Sequence, residues 1–168
     1  PFYGDKVSLL RHWHFNMNTV HNIAFFVSPH GYGHAARASA VMRELEKLIP
    51  EVCFHIFTTV PAWFFEGSKL TSFKHYEVLT DIGMAQQTAL EEDVSETLRK
   101  LDALIPYDPR VIEELASTFE EQQCSMVICD IAPLGIAAAR EAGLPSVLIE
   151  NFTWDWIYSG YSNFGAEI

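Results

Sequence analysis

Short unbroken apolar runs alternate with helix-spaced apolar stripes along this chain. Ile23 to Val27 is apolar at every position, as expected of a strand covered on both faces and central in a sheet. A turn, Pro29-His30-Gly31-Tyr32-Gly33-His34, leads into a helix from Ala35. There Ala38, Val41, Leu45 and Leu48 fall on one stripe that ends near Pro50. Val52 to Thr59 reads as a second strand. Pro61 starts a short helical turn through Phe64 and Phe65, Phe73 to Leu79 reads as a third strand, and residues 80–90 read as loop.

Val94, Leu98, Leu101 and Ile105 mark an amphipathic helix. Pro106 and Pro109 break it, and Val111, Ile112, Leu115, Ala116 and Phe119 begin another. Met126 to Cys129 is a fourth strand ending in Asp130, followed by a helix over 133–142 with Gly143 and Pro145 beyond it. Ser146 to Glu150 is the fifth strand. Alternating strands and helices call for an α/β fold: a doubly wound, mainly parallel Rossmann-like sheet in three layers, with right-handed crossovers. The order 3-2-1-4-5 puts strands one and four side by side, and ligands bind at that switch point beyond the strands' carboxyl ends. The loops there are 29–34 and 130–133, so His34 and Asp130 are expected to face each other across one crevice.

The 168 residues, 49% apolar, suffice for one sizeable core and one domain, and no internal repeat or low-complexity linker divides them. A net charge of -11 argues against nucleic acid or an anionic membrane as partner. Much of that charge is a solvated helix surface, since residues 91–121 hold ten acidic and three basic side chains. Cys53, Cys124 and Cys129 form no C-x-x-C pair, which fits a reducing, cytoplasmic setting. No apolar run is long enough to span a bilayer, there is no signal-peptide core, and Asn151-Phe152-Thr153 reads as a chance glycosylation match. Both ends read as cut. Residues 1–21 form an N-terminal extension in which Met17 is the expected natural start, with vector or upstream sequence before it; 22–168 form the domain.

Gly31-x-Gly33-x-x-Ala36 fits a dinucleotide-binding pattern, but the acid such folds want after strand two is replaced by Thr58-Thr59-Val60. Quenching of the tryptophans by NAD(H) or NADP(H) would test that reading. The two glycines are equally explained by a tight turn. His34 lies near a helix N-terminus, where a neutral ring can accept a proton. Asp130 would hold the other ring nitrogen's proton and stabilise the imidazolium, an arrangement suited to general-base activation of a hydroxyl. His30 and His34 are four apart, but two histidines and one acid make a poor zinc set, and no metal is expected. His12, His14, His21, His55 and His75 read as surface or strand residues. Arg37 is placed to meet an anionic ligand or solvent. In the tail from Glu150 to Tyr158, Trp154 and Asp155 are candidates to stack on and hydrogen-bond a sugar; the alternative is that these aromatics pack on the sheet or on a missing domain.

Ser28 to Arg37, Val127 to Gly143 and Asn151 to Tyr158 resemble the N-terminal half of GT-B glycosyltransferases. More narrowly, His30-Gly31-Tyr32-Gly33-His34-Ala35-Ala36-Arg37 and Asn151-Phe152-Thr153-Trp154-Asp155-Trp156-Ile157-Tyr158 resemble the glycosyltransferase-like domain fused to plant L-arabinokinase and its free-standing bacterial relatives. Many transferases carry proline three residues after the histidine; this chain has Arg37. The resemblance implies an acceptor-side domain that takes a sugar or other hydroxyl-bearing acceptor. His34 would be the base and Asp130 its partner, with His30, Gly31, Gly33 and Arg37 shaping the pocket. It implies no cofactor beyond a nucleotide-sugar donor as co-substrate, held mainly by a C-terminal domain absent from these residues, so this piece alone should be inactive. The rival expectation is a noncatalytic sugar-binding or regulatory module attached to a sugar kinase.

Overall fold

A computed structural model describes residues 20–49 and 51–161. Met17, the residues before it, Pro50 and the last seven residues lie outside the described set. The elements run β1 (His21–Val27), α1 (Tyr32–Leu48), β2 (Val52–Phe57), α2 (Ala62–Gly67), β3 (Phe73–Tyr76), β4 (Gln86–Thr88), β5 (Glu91–Glu92), α3 (Val94–Leu104), α4 (Pro109–Glu121), β6 (Cys124–Asp130), α5 (Pro133–Glu141), β7 (Ser146–Ile149) and α6 (Trp154–Ser159). Five strands form one parallel sheet in the order β3-β2-β1-β6-β7. With the separate β4-β5 hairpin set aside, this is the expected order.

The apolar run of β1 buries both faces because successive side chains point to opposite sides. Ile23, Phe25 and Val27 pack with Ala35, Ala38 and Met42 of α1 and Phe65 of α2. Ala24 and Phe26 turn the other way, toward Leu115 and Phe119 of α4 and Leu134 and Ala138 of α5. Phe26 stacks on Phe57 at 4.6 Å and meets the edge of Phe119 at 5.9 Å, contacts worth about 0.5–1.5 kcal/mol each beyond burial. Gly135 lies directly against this cluster. A Cβ there would stand 2.6 Å from the Phe26 ring and 2.7 Å from Cys129 Sγ. The three cysteines are free and buried.

Several boundaries differ from expectation. Helix α1 starts at Tyr32, so Gly33 and His34 lie inside its first turn, and its buried stripe includes Ala35, Ala38 and Met42 while Leu48 is exposed. Pro106 lies in the break between α3 and α4, as expected, and Pro109 itself opens α4; at the first helical position its missing N–H costs nothing, and Asp108 caps the turn by accepting from Arg110 N–H. Strand β3 stops at Tyr76. The segment read as loop contains β4, and the aromatic tail forms α6.

Candidate active site

Val27 pairs with Asp130 in the β1-β6 register, so both strands end level and their loops leave from one edge. Gly31 caps α1 at φ 73°, ψ 169°, a conformation that requires glycine. Gly33 has no such need. A side chain there would meet nothing within 4 Å, so of the two glycines only Gly31 is a conformational necessity.

The ring of His34 is mostly covered, and its Nδ1 lies 2.9 Å from Oδ1 of the fully buried Asp130. Arg37, one turn further along α1, donates from Nε to Asp130 Oδ2 at 2.7 Å and from Nη2 to Oδ1 at 2.6 Å. Its Nη1 donates to Asn151 Oδ1 at 3.0 Å. Nη2 also lies 3.3 Å from His34 Nδ1, yet that nitrogen cannot accept from Arg37 while donating to Asp130. The shorter, carboxylate contact assigns the proton to Nδ1 and leaves the lone pair on Nε2. Burial works to raise the Asp130 carboxyl, but hydrogen bonds and charge from Arg37 and His34 outweigh it and hold the group below the usual carboxylate range. The carboxylate is therefore ionised at neutral pH. Ile131, the next residue, has φ 47°, a strained value for a β-branched side chain at the foot of the site.

His30 meets Trp154 edge-on at 5.4 Å. Burial lowers its pKa, and the neighbouring His34 adds to that. Gly83, at φ 56°, sits against it, and a Cβ there would fall 2.3 Å from His30 Nδ1. The loop bearing Gly83 is tied to the end of β1. Thr80 Oγ1 donates to the Val27 carbonyl at 2.8 Å, Ser28 Oγ donates to Asp81 Oδ1 at 3.0 Å, and Gly83 N–H donates to the same oxygen at 3.0 Å. Asp81 is 4% exposed, its Oδ2 meets no donor among the described residues, and burial, partly countered by those hydrogen bonds, pushes its carboxyl up to about 6. Sequence reasoning missed Asp81. Its signal was Asp81-x-Gly83, where an aspartate bonds its own backbone two residues on.

A cavity of about 670 Å³ opens between this loop, α3 and the segment after β7, with Ile82, Leu101, Leu104, Ile131 and Leu148 among its walls. Trp154 lines it and is 6% exposed, stacked on Tyr158 at 5.7 Å. Asp155, also on the lining, is exposed. Of the residues singled out from sequence, His34, Asp130 and Arg37 form one hydrogen-bonded group, and His30 and Trp154 touch one another. Among the described residues no group of three or more His, Cys, Asp or Glu could hold a metal, and no helix is long and apolar enough to cross a membrane.

No known family profile matches the chain. It is similar to a ugt transferase from Siraitia grosvenorii solved in complex with UDP, with TM-score 0.50 and 14% identity over 77% of this chain and 27% of that one. The glycotransferase of kitacinnamycin gives TM-score 0.52 and 15% identity over 86% of this chain and 34% of that one. At such identities the likeness is one of fold. The likeness gives this chain a GT-B-like fold, with the Gly-His turn set against an aspartate at the sheet's switch point. In sequence it is similar to the L-arabinokinase of Arabidopsis thaliana, 34% identical over 141 residues. That match takes in 82% of this chain and 13% of that protein's length.

Proposed function

We propose that this domain is the acceptor-binding half of a sugar transferase that joins a sugar from a nucleotide-sugar donor to a hydroxyl. The supporting observation is the 2.9 Å contact between His34 Nδ1 and Asp130 Oδ1 at the switch point. With Nδ1 committed to Asp130, Nε2 takes the acceptor's hydroxyl proton, and the oxygen forms its bond to the donor's anomeric carbon. The bond from that carbon to the diphosphate breaks, and the nucleoside diphosphate leaves with the electron pair. Asp130 stabilises the imidazolium until it loses its proton to solvent. A second domain, outside these residues, holds the donor.

The test uses the longer protein that contains this chain, supplied with nucleotide-sugar donors and hydroxyl acceptors, with nucleoside diphosphate release as readout. His34→Ala and Asp130→Asn should each slow transfer by about a hundredfold or more, about 3 kcal/mol in barrier, with the circular dichroism of the fold retained. Turnover near wild type in both variants rejects the chemistry.

A second reading, a noncatalytic sugar-binding or regulatory module of a sugar kinase, draws on two observations. The similar sequence belongs to a kinase, and Arg37 already engages both Asp130 oxygens. It predicts that His34→Ala alters kinase regulation in a protein that transfers no sugar.

A further inference from the structure

Asp130 has no exposed surface, and the side chains that meet its carboxylate are those of His34 and Arg37. Arg37 has the larger share. Its Nε takes Oδ2 at 2.7 Å and its Nη2 takes Oδ1 at 2.6 Å, while the His34 ring reaches Oδ1 alone, at 2.9 Å. A further bond, from Nη1 to Asn151 Oδ1 at 3.0 Å, holds the guanidinium from the segment after β7. Arg37 follows His34 by three residues on α1, a spacing that sets both on one helix face and aims them at the same carboxylate.

That carboxylate decides where the ring proton sits. An ionised carboxylate only accepts, so the ring nitrogen facing it must carry the hydrogen. The condition lasts only while the carboxylate keeps its charge, and a charge taken out of water is strongly disfavoured without an opposite charge beside it. Burial alone would raise the Asp130 carboxyl; of the groups that hold it down, the hydrogen bonds from Arg37 come first and the one from His34 second. Without the guanidinium the pair would take up one proton from solvent. If it settles on Asp130, the new hydroxyl donates to Nδ1 and the ring's own hydrogen moves to Nε2. If it settles on the ring, an imidazolium forms with hydrogen on both nitrogens. Nε2 carries a hydrogen in either case.

We propose that Arg37 is a positioning residue which, acting through Asp130, makes His34 Nε2 a hydrogen-bond acceptor toward whatever enters the crevice. The ligand must then bring a donor, a hydroxyl or an amine N–H, to that nitrogen. His30 and Asp81 are the other titratable groups that feel this pair, but Asp81 is bonded to Ser28 and Gly83 and His30 stands against Trp154, so neither replaces Arg37. The inference rests on the proposed transferase only in taking the ligand's donor for the acceptor hydroxyl.

The test is NMR of the histidine ring nitrogens in the 168-residue chain at about pH 8, where an ordinary histidine is neutral. A bare ring nitrogen resonates well apart from a protonated one, and the His34 signals are those lost in His34→Ala. Wild type should show hydrogen on Nδ1 and a bare Nε2. Arg37→Gln, which removes the charge, should lose the bare Nε2 signal, and Arg37→Lys, which keeps the charge, should retain it. Both variants give up the two-oxygen grip and some stability, so a merely structural role would move them together. Sucrose in every sample keeps the weaker variants folded, and circular dichroism checks that it does. A bare Nε2 that survives in Arg37→Gln, its loss in Arg37→Lys, or a wild-type ring with hydrogen on Nε2 would overturn the proposal. A longer protein that transfers no sugar would remove the transferase reading and leave this result standing.

Discussion

Replacing Asp81 with asparagine should change how stability depends on pH, with a sign and size set by burial. The carboxyl titrates at about 6 in the fold against 3.8 ordinarily. Between those values the unfolded chain has released its proton and the folded chain still holds it, so stability falls as pH rises through the window. The full loss, reached above pH 6, is about 3 kcal/mol. His55 works in the opposite sense. It is 1% exposed, set between the Tyr76 hydroxyl and the Asn22 side-chain oxygen, and burial lowers it from 6.5 to about 4, with the charge of Lys74 adding to the effect. Its folded form stays neutral while the unfolded form gains a proton, so stability falls as pH drops from 6.5 to 4, again by about 3 kcal/mol. The two windows overlap and largely cancel in the wild type. The substituted side chain would keep an oxygen for Ser28 and Gly83 but could not ionise, which exposes the His55 slope alone. Its unmet amide adds a roughly constant offset of about 1–3 kcal/mol. Urea unfolding followed by circular dichroism from about pH 4 to 7.5 should show the variant gaining about 3 kcal/mol on the wild type across the range. A difference between the two proteins that does not vary with pH would refute the assignment of a buried, raised carboxyl.

Arg37→Met removes the guanidinium from the buried Asp130, leaving the His34 ring N–H as its remaining side-chain partner among the described residues, and should destabilise the domain by about 3 kcal/mol, the low end for a broken buried pair because the arginine is 31% exposed. Urea midpoints would measure this, and Arg37→Lys should restore less than half, since an ammonium cannot span both carboxylate oxygens. The glycines separate in the same assay. Gly83→Ala forces a left-handed residue into the His30 ring and should cost about 1–3 kcal/mol, whereas Gly33→Ala, helical with open space above it, should stabilise by up to about 1 kcal/mol.

The sheet was legible because β1 and β6 each carry an unbroken apolar run, Ile23 to Val27 and Met126 to Cys129, and only a central strand flanked by helices on both faces tolerates that pattern. The meeting of His34 and Asp130 followed from the switch-point rule and needed no side-chain detail. The start of α1 was hidden because Gly31 and Gly33 are poor helix formers, so the periodic signal rises only at Ala35. Helix α6, at six residues, is too short to express a stripe. Arg37's attachment to Asp130 spans 93 residues, and Ser28's to Asp81 spans 53; such bonds leave no periodic trace, and only the finished topology brings their ends together.

The ties among Val27, Ser28, Thr80, Asp81, Gly83 and His30, with the Tyr158 hydroxyl donating to the Gly83 carbonyl at 2.9 Å, fasten one wall of the cavity to the backbone that carries His34. Whatever molecule presses on that wall therefore also sets the stance of the histidine turn. Reshaping what the cavity admits is best attempted from α3 across the opening, where Leu101 and Leu104 can be exchanged with no strut to the β1 end being cut.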